Sequence, residues 1–285
     1  MTPLARVPAE PPYPEAERGR PEAQRLRPET GRLYPRAARL IRESRLSVAL
    51  TGAGISTPSG IPDFRSPGSG LWEDVDPMEV ATLSGFKENP QAFYDWIRPL
   101  ARTIINAAPN PAHLALAELE ARGFLRAVIT QNIDLLHARA GSKKVLEVHG
   151  HIRRATCIRC YQAQPAAPYL ARFIEDGGVP RCPGCGGVLK PDVILFGEQL
   201  PALVLDEARR LARHSELMIV AGSSLEVAPA ADLPALTLAS GGRLMIVNRE
   251  PTSFDGQADV VIHDDVAIAL PAILTEGLTG EARGG

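Results

Sequence analysis

The sequence predicts an α/β fold: a mainly parallel, doubly wound sheet, with a helical segment and a smaller cysteine-bearing module inserted into it. Three observations carry this. Short apolar runs rich in Val, Ile and Leu recur along the chain and end at small or polar residues. Segments with helical spacing lie between many of them, an alternation that implies parallel strands covered by helices on both faces. All four cysteines fall in one Gly- and Pro-containing stretch, 153–190, that has few long apolar runs.

Taken in order, residues 1–30 hold seven Pro, five Arg and five Glu with no Ile, Phe or Trp. Such a segment buries too little apolar surface to offset its ordering entropy, so 1–31 is expected to be a disordered tail. Leu33, Ala37, Leu40 and Ile41 then recur at helical spacing. Of the runs Leu46–Leu50, Arg126–Ile129, Val145–Val148, Val193–Phe196, Leu217–Ala221, Leu244–Val247 and Val260–Ile262, most read as buried strands. Ala112–Arg122 and Leu203–Arg213 read as helices, Pro111 standing near the start of the first. The expected organisation is a sheet domain made of 32–67, 109–152 and 191–285, a helical insertion at 68–108 and a cysteine module at 153–190.

With 285 residues, of which 45% are hydrophobic and 22% charged, the chain has enough material for a sizeable core without disulfides. A formal net charge of −2 argues against a general nucleic-acid binder, which needs excess Lys and Arg. The longest apolar stretches, such as Ala267–Leu274, fall short of a membrane span, and the N-terminus shows no apolar signal core. These features lead us to expect a cytoplasmic protein with neither membrane nor direct nucleic-acid partners. They leave the oligomeric state open, a monomer being compatible.

Cys157-x-x-Cys160 and Cys182-x-x-Cys185 are separated by 21 residues. Two close thiol pairs suit one tetrahedral Zn²⁺, and four protein ligands leave no open position, so the ion is expected to be structural. Paired disulfides are the alternative, favoured only in an oxidising compartment.

Leu46–Leu50 runs directly into Thr51-Gly52-Ala53-Gly54-Ile55-Ser56-Thr57. A strand followed by Gly-x-Gly brings backbone close to a pyrophosphate, although the same pattern also serves as a plain tight turn. Pro58 and Pro62 then stop any helix within about a turn. The loop continues through Asp63, Phe64 and Arg65 with no second strand where a hydride-transferring dehydrogenase would have one.

Ligands of open α/β sheets bind beyond the carboxyl ends of the strands, so the residues after each run are the candidate site. They are Thr130, Gln131, Asn132, Ile133 and Asp134; His149 and Gly150; Gly222, Ser223 and Ser224; and Asn248 with Arg249. His149 has the pKa range of a general base. The other histidines, His113 and His137 among them, carry no such context and read as core or surface residues.

Together these segments resemble the sirtuins, the NAD-dependent protein lysine deacylases, over about residues 32–275. The carrying motifs are Gly52–Ser56, Gly60–Ser66, Thr130–Asp134, His149-Gly150, the paired CxxC motifs, Pro191–Glu198, Gly222–Leu225 and Val247-Asn248. The resemblance implies a large Rossmann-like domain, a smaller zinc and helical part, and a cleft between them. It implies a deacetylase that passes the acetyl, or another uncharged acyl group, from lysine to ADP-ribose and releases nicotinamide.

The resemblance further implies that Gly52, Ala53, Gly54, Ile55 and Thr57 cradle the NAD phosphates, and that Asp63, Phe64, Arg65 and Gln131 lie on the cofactor, Phe64 shielding the ribose and Arg65 pairing with phosphate. Ile133 and Asp134 would engage the carboxamide, and Asn132 the ribose or a water. His149 would be the general base. Gly222, Ser223, Ser224, Asn248, Arg249 and Val266 would line the adenosine end. Val193, Ile194, Leu195 and Phe196, with Leu225, Glu226 and Val227, would flank an acyl-lysine peptide as strands.

Sirtuins that prefer succinyl or malonyl groups share a Tyr-x-x-Arg pair. Here Tyr94 is followed three positions later by Ile97, with Arg98 one step on, and Asp63 stands where those enzymes tend to have Thr, so uncharged acyl groups are expected. The same fold also serves mono-ADP-ribosyl transfer and lipoamide-type or long-chain deacylation, which are the alternatives.

Overall fold

The computed structural model describes residues 32–63 and 76–278. The expected tail at 1–31, and Phe64 and Arg65, lie outside the described residues. The described residues open with α1 (Tyr34–Glu43) and β1 (Ser47–Thr51). Three helices follow: α2 (Pro77–Val80), α3 (Leu83–Glu88) and α4 (Pro90–Asn106). Next come α5 (Pro111–Ala121), β2 (Ala127–Thr130), α6 (Leu136–Arg139) and β3 (Val145–Glu147). A small antiparallel sheet is built from β4 (Gly150–Cys157), β5 (Ala163–Pro165) and β6 (Leu189–Val193), with α7 (Ala167–Asp176) between its last two strands. The chain ends with α8 (Ala202–His214), β7 (Leu217–Ala221), α9 (Leu233–Ala239), β8 (Arg243–Val247), β9 (Val260–Ile262) and α10 (Val266–Leu278).

The main sheet has six parallel strands in the order β3-β2-β1-β7-β8-β9. Its central strands are buried throughout, because both faces are covered. Ala49, Val128, Ile219 and Met245 face Tyr34, Ile41, Leu116, Leu119, Leu270 and Ile273 on one side. Val48, Leu50, Ile129, Val220 and Ile246 face Ala208, Leu211 and Leu233 on the other. Strand order reverses between β1 and β7, and the carboxyl edge at such a reversal is where open α/β sheets take their ligands.

The helical segment and the small sheet share a core of their own. Phe86, Phe93 and Tyr94 pack with Phe173, Val188, Val193 and Leu195, and the Tyr94 and Phe173 rings meet edge-on at 4.9 Å. Arg98 donates to the carbonyls of Ile174 and Glu175, and Arg102 to that of Ile174, capping the last turn of α7 with positive charge. Among the described residues no helix is long and apolar enough to cross a membrane.

Two expectations are corrected. The apolar run Val193–Phe196 is not a strand of its own. The ladder is Leu189–Val193, an edge strand in which Pro191 is tolerated, and beyond it the chain makes only one isolated bridge, Thr82 with Phe196. Of the residues beyond the strand, Leu195 is buried in the core shared with the helical segment, while Ile194 is half-buried and Phe196 exposed. Leu225–Val227 is likewise not a strand; Leu225 has φ +57°, a left-handed conformation that breaks extended pairing.

Candidate active site

The Gly-x-Gly loop leaves β1 as two short 3₁₀ turns, 53–55 and 57–59, the second opening on Pro58 and closing at Gly60 with φ +82°. Proline and the left-handed glycine explain why no long helix forms here. The loop after β7 packs directly onto it. Gly222 has φ +61°, and a Cβ there would lie 2.2 Å from the Ile55 nitrogen; one on Gly54 would lie 2.9 Å from the Gly222 oxygen. The two loops on either side of the strand-order reversal therefore touch backbone to backbone.

The loop after β2 joins them through side chains. Asn132 Nδ2 donates to the Gly52 oxygen at 3.0 Å and to Ser56 Oγ at 3.1 Å. Ser56 Oγ donates to Asp134 Oδ2 at 2.7 Å, and Asp134 Oδ1 accepts the Leu136 amide at 2.9 Å. Gln131 Nε2 donates to Ser223 Oγ at 3.0 Å, and the same oxygen accepts the Leu225 amide. Asp134 and Ser223 are buried, so these bonds fix polar groups that are costly to leave unpaired.

His149 lies between β3 and β4. Its Nδ1 sits 3.0 Å from the Gln131 oxygen, and burial lowers its pKa below the usual imidazole value although that hydrogen bond opposes the shift. Gly150 next to it has φ +78°, and a Cβ there would fall 2.1 Å from the Asp192 oxygen, so β6 can approach only a glycine. The Ile194 amide donates to the His149 oxygen at 2.9 Å, tying the segment after β6 to the same residue.

At the far end, Asn248 Nδ2 donates to the Glu250 oxygen and Arg249 pairs with Asp265 at 2.7 Å, beside the buried Val266 at the start of α10. Ser224 and Glu226 are exposed, and Ala53, Gly54, Thr57, Asp63, Gln131, Asn132 and Ile133 are half-buried along the edge. The structure thus gathers Gly52 to Thr57, Gln131 to Asp134, His149, Gly222 and Ser223 into one connected cluster. Asn248, Arg249 and Val266 stand at the next strand ends.

Polar residues that the sequence reading set aside lie beneath this cluster. Asn110 caps α5, its Oδ1 accepting the Ala112 amide at 2.9 Å, and its own amide donates to His113 Nδ1. That leaves the proton of neutral His113 on Nε2, 3.5 Å from Ser56 Oγ. His137 Nε2 meets Thr51 Oγ1 at 2.9 Å, and the two imidazole rings meet at a tilt of 58° with centroids 4.8 Å apart. Burial pushes His113 down to about 4 and His137 to about 3, so both stay neutral. The one sequence signal was the Asn-Pro-x-His cap of α5, which puts His113 on the inward first turn.

In the small sheet the four cysteine sulfurs lie within 4.8 Å of one another, Cys157 and Cys185 at 3.5 Å, Cys160 and Cys182 at 3.7 Å. A tetrahedral zinc with bonds of about 2.3 Å places its sulfurs about 3.8 Å apart, whereas a disulfide needs about 2.05 Å. The donor set fits zinc. A Cβ on Gly187 would lie 2.8 Å from Cys157 Sγ, so the second knuckle closes only over glycine.

The Sir2 family profile matches residues 52–229. An NAD-dependent protein deacetylase of Caldivirga maquilingensis is 46% identical over 237 residues, which is 83% of this chain and 91% of that protein. One of Thermotoga maritima is 45% identical over 238 residues, 84% and 96% of the two chains. Among solved structures, a Sir2 enzyme with p53 peptide and NAD+ superposes with TM-score 0.78 at 44% identity, covering 85% of this chain and 97% of that one.

Proposed function

The chain belongs to the Sir2 family, and on that footing we propose that it is an NAD-dependent protein lysine deacetylase acting on acetyl-lysine in proteins or peptides. The observation that carries the reading is His149: a half-buried imidazole held through Nδ1 by the Gln131 carbonyl, next to the Asn132–Ser56–Asp134 chain. NAD, when bound, supplies the sugar carbon that takes the acyl group as nicotinamide leaves.

The chain's own residues then divide the work. Gly52 to Thr57 and Gly222 to Ser224 hold phosphate and ribose oxygens through close backbone and hydroxyls. Asp134 and Ile133 take the carboxamide, and Asn132 orients the ribose or a water. Asp63, Phe64 and Arg65 cover the cofactor, Arg65 offering a fork suited to oxyanions. Asn248, Arg249 and Val266 receive the adenosine. His149 accepts a proton at Nε2, the nitrogen that the Gln131 bond leaves with a lone pair. Val193 to Phe196 and Leu225 to Val227 bracket the peptide, whose main-chain bonds permit a relaxed sequence preference. The cysteines hold one structural Zn²⁺. Four thiols with no disulfide among the described residues suit a reducing compartment, and we place the protein in the cytoplasm.

A panel of acyl-lysine peptides, incubated with and without NAD and read by mass spectrometry, tests this. The expected result is loss of acetyl only with NAD, the acetyl mass recovered on ADP-ribose. Deacetylation without NAD, or ADP-ribose deposited on protein while acyl peptides remain intact, overturns it.

A further inference from the structure

We propose that Lys190 is a positioning residue that sets both the peptide-flanking segment and the backbone of His149; the inference rests on the deacetylase reading above. Lys190 lies on β6, next to the small sheet's buried Leu189, and its ammonium is enclosed. An ammonium has three donors, and three acceptors meet it: the Val193 oxygen at 2.7 Å, the Pro191 oxygen at 3.0 Å and Glu198 Oε2 at 3.0 Å. The lysine and glutamate side chains are only 12% and 19% exposed, so this is an enclosed ion pair and not a solvated surface contact.

Glu198 passes the restraint on. The same Oε2 accepts the Leu195 amide at 2.8 Å. The pair therefore grips the backbone at residues 191, 193 and 195. The residue between the last two, Ile194, donates its amide to the His149 oxygen at 2.9 Å. One cation thus fixes the turn from β6 into the segment that would bracket the peptide, and that segment is bonded to the general base. It also gives the cysteine module, which holds no open metal position, a mechanical route to the reaction. β6 pairs with β4, which carries Cys157 opposite Leu189, and it ends in the stapled turn.

The test uses full-length Lys190→Met, Lys190→Arg and Glu198→Gln with zinc loaded, an acetyl-lysine peptide and NAD. Lys190→Met is expected to raise the peptide KM about tenfold while leaving the KM for NAD within about twofold, and Lys190→Arg to recover most of it, because the guanidinium keeps the charge and several donors. Glu198→Gln should fall between. In hydrogen exchange, the Ile194 and Leu195 amides of Lys190→Met should lose protection while β1 and β7 keep theirs; this readout needs no turnover, so it tests the staple even if the wild type proves inactive on acetyl-lysine. Unchanged peptide KM, both KM values rising together, or unaltered exchange at Ile194 and Leu195 overturns the proposal. An inactive wild type with the expected exchange pattern overturns the deacetylase reading instead.

Discussion

Nδ1 of His149 lies 3.0 Å from the backbone oxygen of Gln131. A carbonyl only accepts, so the proton of the neutral imidazole sits on Nδ1 and Nε2 is free to act as base. Burial lowers the pKa of His149 from its ordinary 6.5. A base must be deprotonated to work, and a lowered pKa keeps it so to lower pH. Turnover should stay level as pH falls from neutrality through about 6.5 and decline only on further acidification. His149→Ala should lower kcat by about 10²–10⁴-fold with NAD binding retained. A profile that already declines above pH ~7 would mean an exposed or charge-paired imidazole.

Gly222 sits where strand order reverses, at φ +61° and with no room for a Cβ against Ile55. Gly222→Ala combines left-handed strain with overpacking and should destabilise by about 2–4 kcal/mol and raise the KM for NAD. Gly60, at φ +82° with nothing within 4 Å of its missing Cβ, is the control; Gly60→Ala should cost about 1 kcal/mol of conformational strain only. Thermal unfolding and initial rates distinguish them.

His113 and His137 make the fold acid-sensitive. Desolvation is the main cause in each, and His113 adds repulsion on His137. Their pKa values fall to about 4 and about 3, while in the unfolded chain they stay near 6.5. Between these limits the unfolded state binds more protons, so stability rises with pH there and is lost as pH drops below about 6.5. At about pH 5 each contributes roughly 2 kcal/mol of loss. His137→Gln should flatten the dependence of urea midpoints on pH in this window; an unchanged slope would show that His137 is already solvated.

Acyl choice follows from what Tyr94 and Arg98 already do. Tyr94 Oη donates to the Leu189 oxygen at 2.5 Å, and Arg98 is spent on the carbonyls of Ile174 and Glu175. Neither is available to meet a carboxylate on an acyl chain. The kcat/KM for succinyl-lysine should fall below that for acetyl-lysine by about tenfold or more, since a charge would enter without a partner. Equal rates on the two peptides would contradict this.

The legible parts of the sequence were those where burial imposes a pattern. β1, β7 and β8 announced themselves because both faces of each are covered, and polar residues after β1, β2 and β7 marked the carboxyl edge. β4 was not legible: Gly-His-Ile-Arg-Arg-Ala-Thr-Cys is largely polar, and only Gly150, Ala155 and Cys157 of it are buried. Val193–Phe196 misled because Val193 and Leu195 answer to the helical segment, while the strand includes Lys190 and Pro191, which look like a break. His113 and His137 gave little signal, because their roles come from residues 50 to 90 positions away in the chain meeting under one loop.

The most direct test of the account is the stoichiometry of one reaction. Nicotinamide, deacetylated peptide and reduced cofactor are quantified together from NAD and an acetyl-lysine peptide. The account predicts one nicotinamide for each lysine freed and no reduced cofactor. Lysine freed without nicotinamide, or cofactor recovered in its reduced form, would contradict it.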